Sequence, residues 1–242
     1  GITHEELSLL MMEKFNRRHG GRLDLAIEIF TGKYKKGFLN RLISSQLDVD
    51  RIDYLKRDSF FTGVAEGNVN AERLLDMMEV VGNDLAIEAK GIYSVESFLV
   101  SRRIMYWQVY MHKTVLSAEY MLREILKRAR LISKERMLPA TPALTYFLRH
   151  EGPFTWDDDM DEVLAAFGWL DDYDVMTAVK LWANDTDFVL RHLCQRLIDR
   201  RLFKIEMSQE PFDSAYKDEI LHGIAKLYGI SIYDASYMLL HL

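Results

Sequence analysis

The sequence predicts an almost all-α protein, and three observations lead to this prediction. The first 138 of the 242 residues contain no proline, which helix interiors exclude because it lacks an amide donor and clashes with the preceding turn. Apolar residues recur every three or four positions through most of the chain, as they do on one face of a helix. Capping residues and glycines separate these segments. We therefore expect a helical bundle with no more than a short strand or two.

The first predicted helix has a capping box at its start. In the sequence Thr3-His4-Glu5-Glu6, Thr3 can accept a hydrogen bond from the amide of Glu6, while the Glu6 carboxylate reaches back to the amide of Thr3. Apolar residues then follow at helical spacing, namely Leu7, Leu10, Met11 and Phe15. Gly20-Gly21 ends this helix.

Further helices are predicted up to the middle of the chain. The apolar spacing favours helices over 23–30, 36–44, 49–61 and 70–81 and one long helix over 94–130, which contains no glycine or proline. Asp48 is the predicted N-cap of the third of these, and Gly63 is its stop signal. A short strand is predicted over Leu85–Ala89.

The segment between Pro139 and Pro142 is the predicted domain boundary. It divides a helical core over 1–138 from a smaller helical C-terminal lobe over 139–242. The lobe's predicted helices are 142–150, 160–167, 172–184, 187–199 and 212–227. A strand is predicted over Leu202–Met207.

Composition excludes several classes of protein. Lys plus Arg is 31 and Asp plus Glu is 37, which gives a formal net charge of −6. This charge argues against nucleic acid or an anionic membrane as a partner. The single cysteine, Cys194, rules out an internal disulfide and a cysteine-based zinc site, and we expect it to lie in the core. No apolar run approaches the roughly 20 residues that span a bilayer, and no signal peptide is visible. We expect a reduced, cytoplasmic protein.

A polar stripe on the helix after Asp48 is the first candidate site. Asp50, Tyr54 and Asp58 are spaced i, i+4 and i+8 and so share one face, with Arg51 and Arg57 beside them. Two carboxylates and a phenol in line can hold a hard cation and a sugar hydroxyl. The alternative is a solvated face of Asp–Arg pairs, which spacing alone favours.

The long predicted helix carries a second stripe. Arg102, Tyr106, Tyr110 and Lys113 are spaced i, i+4, i+8 and i+11, with His112 adjacent. Cations among phenols suit a nucleotide, because Arg and Lys bind phosphates while Tyr stacks or donates a hydrogen bond. The alternative is an aromatic core stripe with snorkelling basic side chains, and the pattern alone favours it.

Two further features have simpler explanations. His4 lies in a first helical turn, where the helix dipole favours a neutral imidazole that could act as a base or ligand, although a lone histidine is more often structural. The acidic runs at 157–162 and 171–174 could suggest a metal site. Acidic residues gather at helix N-termini for dipole reasons, and we favour that explanation for both runs.

Longer stretches of sequence carry a family resemblance. The segment Gln46–Ser59, QLDVDRIDYLKRDS, resembles the hallmark of the HD-superfamily deoxynucleoside triphosphate (dNTP) triphosphohydrolases, the branch of the dGTPases and the SAM-and-HD-domain proteins. Thr3-His4-Glu5 resembles the helix start after that family's His-Asp motif. Tyr110–Lys113, with Arg102 eight positions before it, resembles its Tyr-x-His-Lys helix. Arg200–Lys204 is similar to its Arg-x-Leu-Phe-Lys strand.

The resemblance implies an HD-domain helical bundle and a metal-dependent hydrolysis of dNTPs to deoxynucleoside and triphosphate. Asp50 matches the last ligand of a divalent cation, either Mn, Mg, Fe or Ni. Tyr54 and Asp58 match residues that contact the deoxyribose. Arg51 matches a basic residue facing phosphate, and His4 matches a histidine of the catalytic pocket near the α-phosphate.

The resemblance also assigns roles to the second stripe. Tyr110 matches a residue that packs on the sugar, while Arg102, His112 and Lys113 match polar positions near substrate or effector phosphates. It further implies a homo-oligomer whose subunits bind an effector nucleotide between them.

One family feature is missing from the sequence. The family's first His and its His-Asp pair belong before Thr3, and this chain contains no His-Asp dipeptide. We therefore expect a fragment of a longer enzyme, which would bind metal weakly when made alone. The alternative is a non-catalytic module for nucleotide binding or oligomerisation.

Overall fold

The computed structural model describes residues 2–156 and 158–240, which form thirteen α-helices and one two-stranded antiparallel sheet. The predicted, mainly all-α class is therefore confirmed. Contacts divide the chain into two compact units, residues 2–112 and the residues from 113 onward. The predicted domains, 1–138 and 139–242, stay predictions. Among the described residues, no helix is long and apolar enough to cross a membrane.

The first unit contains six helices and the sheet. Its helices are α1 (His4–Arg18), α2 (Asp24–Phe30), α3 (Gly37–Ile43), α4 (Val49–Thr62), α5 (Ala71–Asp76) and α6 (Ile92–Met105). Its strands are β1 (Met78–Val81) and β2 (Asp84–Ile87). Short 3-10 turns cover Ala65–Gly67 and Ala89–Gly91, and a π-helical turn covers Tyr106–Tyr110.

The predicted caps of α1 and α4 are confirmed. The Thr3 amide donates to the Glu6 carboxylate across 2.7 Å, and the Glu6 amide donates back to the Thr3 hydroxyl across 3.3 Å. At α4, Oδ1 of Asp48 accepts from the Arg51 amide at 2.8 Å. Gly63 ends α4 in the left-handed region, with φ of 72°, where glycine avoids the steric cost that other residues meet.

The helix predicted over 70–81 is wrong beyond Asp76. Met78–Val81 instead forms β1, which pairs with β2 so that Val81 lies opposite Asp84. Gly82 makes the tight connection possible because its φ is 63°, and the β-branched pair Val80-Val81 suits a strand. The strand predicted over Leu85–Ala89 exists, shifted to Asp84–Ile87.

The single helix predicted over 94–130 is also wrong, because α6 ends at Met105. The Met111 amide then donates to the Tyr106 carbonyl across 2.7 Å, which is the i to i−5 pairing of a π-helical turn. A new helix begins at Lys113. Such a turn needs neither glycine nor proline, so the break leaves no punctuation in the sequence.

A small apolar core joins α4 and α6. Leu55 of α4 and both Phe98 and Met105 of α6 are at most 1% exposed, and they pack with Leu74 of α5. Because these residues fix α4 against α6, the polar faces of the two helices come into contact.

The second unit contains the remaining seven helices. They are α7 (Lys113–Glu135), α8 (Pro142–Arg149), α9 (Met160–Trp169), α10 (Asp172–Trp182), α11 (Phe188–Ile198), α12 (Ser214–Tyr228) and α13 (Ile232–Ser236). The strand predicted over Leu202–Met207 is wrong, since these residues form neither helix nor strand. Instead of pairing with a strand, the Phe203 carbonyl accepts from the Ser117 hydroxyl at 2.9 Å.

The core of the second unit surrounds Trp182, which is fully buried and donates from its indole nitrogen to the Pro139 carbonyl at 3.0 Å. Cys194 lies in this core as predicted, and burial raises the pKa of its thiol to about 12. Asp159 and Asp171 cap α9 and α10, which confirms the dipole explanation of the two acidic runs for these residues. Asp157 lies outside the described residues.

Candidate functional site

The polar stripe of α4 has two different sides. Asp50, Tyr54 and Asp58 all lie on this helix, with Asp50 exposed and the other two half-buried. On the solvated side, Arg57 donates to Asp53 across 2.6 Å, and both side chains are more than half exposed. The predicted alternative, a solvated Asp–Arg face, therefore describes Asp53 and Arg57 but not Asp58.

Asp58 contacts the end of the second stripe. The Tyr110 hydroxyl donates to Oδ2 of Asp58 across 2.7 Å. Tyr110 is the last residue of the π-helical turn, so the extra residue in that turn sets the direction in which its side chain leaves the backbone. Turns of this kind are frequent at functional sites.

Two more phenols surround Tyr110. The rings of Tyr54 and Tyr110 meet edge to face with centroids 6.2 Å apart, and those of Tyr106 and Tyr110 do so at 5.2 Å. We refer to Tyr54, Asp58, Arg102, Tyr106 and Tyr110 as the Tyr–Asp cluster. Edge-to-face packing holds ring orientations, so the cluster presents a carboxylate beside fixed aromatic walls.

The environment keeps two of these phenols protonated. Burial raises the pKa of Tyr110 well above its usual range, and its hydrogen bond to the Asp58 carboxylate raises it further. Burial and neighbouring Tyr106 raise the pKa of Tyr54, while the positive charges of Arg102 and Arg51 partly offset this rise. Both tyrosines are therefore hydrogen-bond donors at neutral pH.

Arg102 belongs to the same cluster. Its guanidinium lies 5.8 Å from the centre of the Tyr106 ring, and its Nη1 donates to Oε1 of the Gln46 side-chain amide at 3.4 Å. Gln46 was not among the predicted site residues, and Tyr106 was predicted only as a member of the second stripe, without a role implied by the family resemblance. Tyr106 stands in the i, i+4 stripe and Gln46 begins the family-like segment, so the sequence contained a signal for both.

Arg51 points back toward the loop before α4. Its Nη1 donates both to the Ser45 carbonyl and to Oδ2 of Asp48, and the side chain remains 29% exposed. Asp48 itself is 2% exposed. The arginine predicted to face phosphate is thus anchored through Nη1 by a buried carboxylate.

Three of the remaining predicted site residues, His4, His112 and Lys113, lie outside α4 and the π-helical turn. His4 lies at the start of α1 with its side chain 87% exposed, and its Nε2 lies 3.2 Å from the Glu5 carboxylate. His112 is exposed just after the π-helical turn. Lys113 begins α7 and belongs to the second unit. Their predicted roles stay predictions.

The donors at this site do not amount to a complete metal centre. Within residues 2–156 and 158–240, no three His, Cys, Asp or Glu side chains are placed to hold one metal ion. Asp50 is exposed on the first turn of α4, beyond the Tyr–Asp cluster. Hard cations take six to eight oxygen ligands, so Asp50 would need donors other than those described.

Three comparisons relate the chain to known proteins. Residues 69–141 match the family model described as "HD associated region". The crystal structure of a phosphohydrolase from Bacteroides thetaiotaomicron superposes with a TM-score of 0.94 and 45% identity, covering 98% of this chain and 59% of that one. A deoxynucleoside triphosphate triphosphohydrolase SAMHD1 homolog of Dictyostelium discoideum is 25% identical over 138 residues, which is 52% of this chain and 27% of that protein.

These matches support the HD superfamily. They also support the assignment of the chain to a hydrolase, because the protein from Bacteroides thetaiotaomicron that shares its fold is named a phosphohydrolase. YwfO of Bacillus subtilis, a protein without an assigned function, is 35% identical over 215 residues, which cover 88% of this chain and 46% of YwfO. The chain thus spans about half the length of YwfO.

Proposed function

We propose that this chain is the nucleotide-binding part of an HD-superfamily phosphohydrolase that converts a dNTP and water into a deoxynucleoside and triphosphate. In this reaction water adds to the α-phosphorus, the bond from phosphorus to the 5′ oxygen breaks, and that oxygen takes up a proton. The observation that carries the proposal is the 2.7 Å hydrogen bond from Tyr110 to Asp58. It builds a half-buried polar site from two helices that the sequence had suggested separately.

The Tyr–Asp cluster suits a deoxyribose. Tyr110 occupies Oδ2 of Asp58, while Oδ1 has no hydrogen-bond partner within the described part of the chain and can accept from a sugar hydroxyl. The rings of Tyr54, Tyr106 and Tyr110 supply a fixed apolar wall. A 2′-hydroxyl pressed against such a wall would lose water without gaining a partner, which costs free energy.

Positive charge lies beside the same wall. Arg102 and Arg51 both act on the Tyr54 phenol, and guanidinium groups bind phosphate oxygens through paired N–H donors. We assign these two arginines to the substrate phosphates. His4, His112 and Lys113 are kept as proposed contacts near the phosphates on the strength of the family likeness.

A divalent metal ion belongs to the proposal as well. When bound, such an ion polarises a phosphoryl oxygen and lowers the pKa of a bound water. Asp50 would provide one oxygen ligand. The other ligands are not among the described residues, so the chain's own contribution to the reaction is to bind and orient the nucleotide.

The names of two similar proteins support the proposed hydrolase activity and favour a dNTP as the substrate. The structural neighbour from Bacteroides thetaiotaomicron is named a phosphohydrolase, and the Dictyostelium relative is named a dNTP triphosphohydrolase homolog. We also propose a homo-oligomer with an effector nucleotide. The exposure of Tyr93, Val100 and Trp107, between 56% and 79%, is of the kind that protein interfaces cover.

The deciding experiment compares Asp50→Ala with Asp53→Ala in the full protein. With Mn²⁺ or Mg²⁺, Asp50→Ala should abolish deoxynucleoside release and lower bound metal, measured by chromatography and by elemental analysis. Asp53 lies on the same helix in an exposed pair with Arg57, so its variant should retain activity. If Asp50→Ala leaves metal content unchanged and alters only nucleotide affinity, the non-catalytic module is correct instead.

A further inference from the structure

The buried carboxylate of Asp48 does more than cap a helix. An N-cap needs one acceptor oxygen, and Oδ1 serves this purpose by accepting from the Arg51 amide at 2.8 Å. Oδ2 accepts from the Ser45 amide at 3.2 Å and from the Arg51 guanidinium. Serine or asparagine would cap α4 equally well. The negative charge of aspartate also pairs with the guanidinium, which a serine or asparagine cap would not do.

This carboxylate uses only one end of the Arg51 guanidinium. Nη1 donates to Asp48 and to the Ser45 carbonyl, while Nε and Nη2 have no hydrogen-bond partner within residues 2–156 and 158–240. A guanidinium carries five N–H donors in a fixed plane. Anchoring Nη1 therefore also fixes the direction of the N–H donors on Nε and Nη2, which form the free edge of the group. The charge lies near Tyr54, where it acts together with that of Arg102.

We propose that Asp48 is a positioning residue, which holds Arg51 so that its free edge meets the phosphates of the nucleotide. This inference rests on the proposed function, because it takes a triphosphate as the ligand. Long side chains lose considerable rotamer entropy when they are fixed. Asp48 fixes Arg51 before the nucleotide arrives, and so reduces the loss on binding.

The test is a double-mutant cycle in the full protein with inorganic triphosphate as the probe. Asp48→Asn keeps the cap oxygen and removes the charge together with the acceptor of the Ser45 amide, while Arg51→Ala removes the guanidinium. Each single variant should weaken triphosphate binding about tenfold, which corresponds to about 1.4 kcal/mol. The double variant should be no weaker than Arg51→Ala alone, because Asp48 acts only through Arg51.

Two controls separate a positioning role from a structural one. Asp53→Asn makes the same change in the exposed pair with Arg57 on the same helix and should leave triphosphate binding unchanged. A deoxynucleoside, which lacks phosphates, should bind Asp48→Asn as tightly as it binds the wild type. A loss of deoxynucleoside binding equal to the loss of triphosphate binding would instead show that α4 is disturbed as a whole.

The outcomes distinguish this inference from the function on which it rests. Tight triphosphate binding by the wild type, with additive effects of the two substitutions, overturns the positioning role and leaves the nucleotide site in place. A wild type that binds neither triphosphate nor deoxynucleoside overturns the proposed function and the positioning role together.

Discussion

The phenol of Tyr110 donates a 2.7 Å hydrogen bond to Oδ2 of Asp58, a residue 52 positions earlier in the chain. The contact joins the π-helical turn after α6 to the polar stripe of α4. In a regular α-helix the Tyr106 carbonyl would accept from the amide of residue 110, whereas here it accepts from the amide of Met111. A regular turn would therefore point the Tyr110 side chain in a different direction. The irregular turn is therefore what completes the candidate sugar site.

Tyr110→Phe tests the importance of this contact for activity. The substitution keeps the ring and removes the donor, so half-buried Asp58 loses its hydrogen bond, at a cost of about 1–3 kcal/mol. If this loss falls on substrate binding, kcat/KM for dNTP hydrolysis should drop about tenfold or more. Tyr173→Phe is the matched control, because Tyr173 is 81% exposed and its variant should behave as the wild type.

The same contact should make stability sensitive to alkaline pH. Burial and Asp58 raise the pKa of Tyr110, so the folded state holds this proton more tightly than the unfolded state, in which tyrosine titrates near pH ~10. Its stabilising contribution is complete below that pH and is lost as the pH rises above it. Urea unfolding at about pH 9 and about pH 11 should show a larger loss for wild type than for Tyr110→Phe. Equal losses would contradict the raised pKa.

Arg128 should be a key residue for the stability of the second unit. It donates to both Asp187 oxygens, at 3.1 and 2.6 Å, lies 2.9 Å from Asp234, and stacks over Tyr237 with only 12% of its side chain exposed. Arg128→Ala leaves two carboxylates without their partner and should lower the free energy of unfolding by about 3–5 kcal/mol. Thermal unfolding would show this change.

Arg201→Ala is the control for Arg128→Ala. Arg201 pairs with Asp199, and both side chains are more than half exposed. An exposed pair contributes little, so the free energy of unfolding should change by less than about 1 kcal/mol. Equal effects of the two substitutions would contradict the role given to burial at Arg128.

Gly67 allows the 3-10 turn after α4 to pack closely against α6. A Cβ at this position would lie 2.3 Å from Sδ of Met105 and 3.1 Å from Cβ of Ser59, and Met105 is fully buried. Gly67→Ala should therefore destabilise the first unit by about 1–3 kcal/mol. Gly223→Ala in α12 meets nothing within 4 Å and should stabilise its helix slightly. Chemical denaturation should therefore show a lower free energy of unfolding for Gly67→Ala and a slightly higher one for Gly223→Ala.

Most helices could be predicted from the sequence because their signals are local. Thr3, Asp48 and Gly63 mark helix ends through hydrogen bonds and backbone angles that involve only neighbouring residues. The hairpin was missed because Met78, Val80 and Val81 follow a true helix and continue its apolar spacing, and so short a segment fits helix or strand equally. Its pairing with β2, not its composition, determines the strand.

The sequence predicted the two polar stripes of the candidate site, but not the contact between them. Helical spacing placed Asp50, Tyr54 and Asp58 on one helix, and the structure agrees. The contact between Asp58 and Tyr110 depends on the π-helical turn and on the core that joins α4 to α6, and no local pattern encodes either one. The attachment of Arg51 to Asp48 was likewise hidden, since i, i+3 neighbours on a helix can equally face solvent.

The most direct test of the proposed function is the identity of the products. The full protein is incubated with each dNTP and a divalent metal ion, and the products are separated by anion-exchange chromatography. We expect equal amounts of deoxynucleoside and intact triphosphate, with formation strongly reduced by Asp58→Asn and unaffected by Asp53→Asn. Release of pyrophosphate and a nucleoside monophosphate, or no turnover of any dNTP, would contradict it.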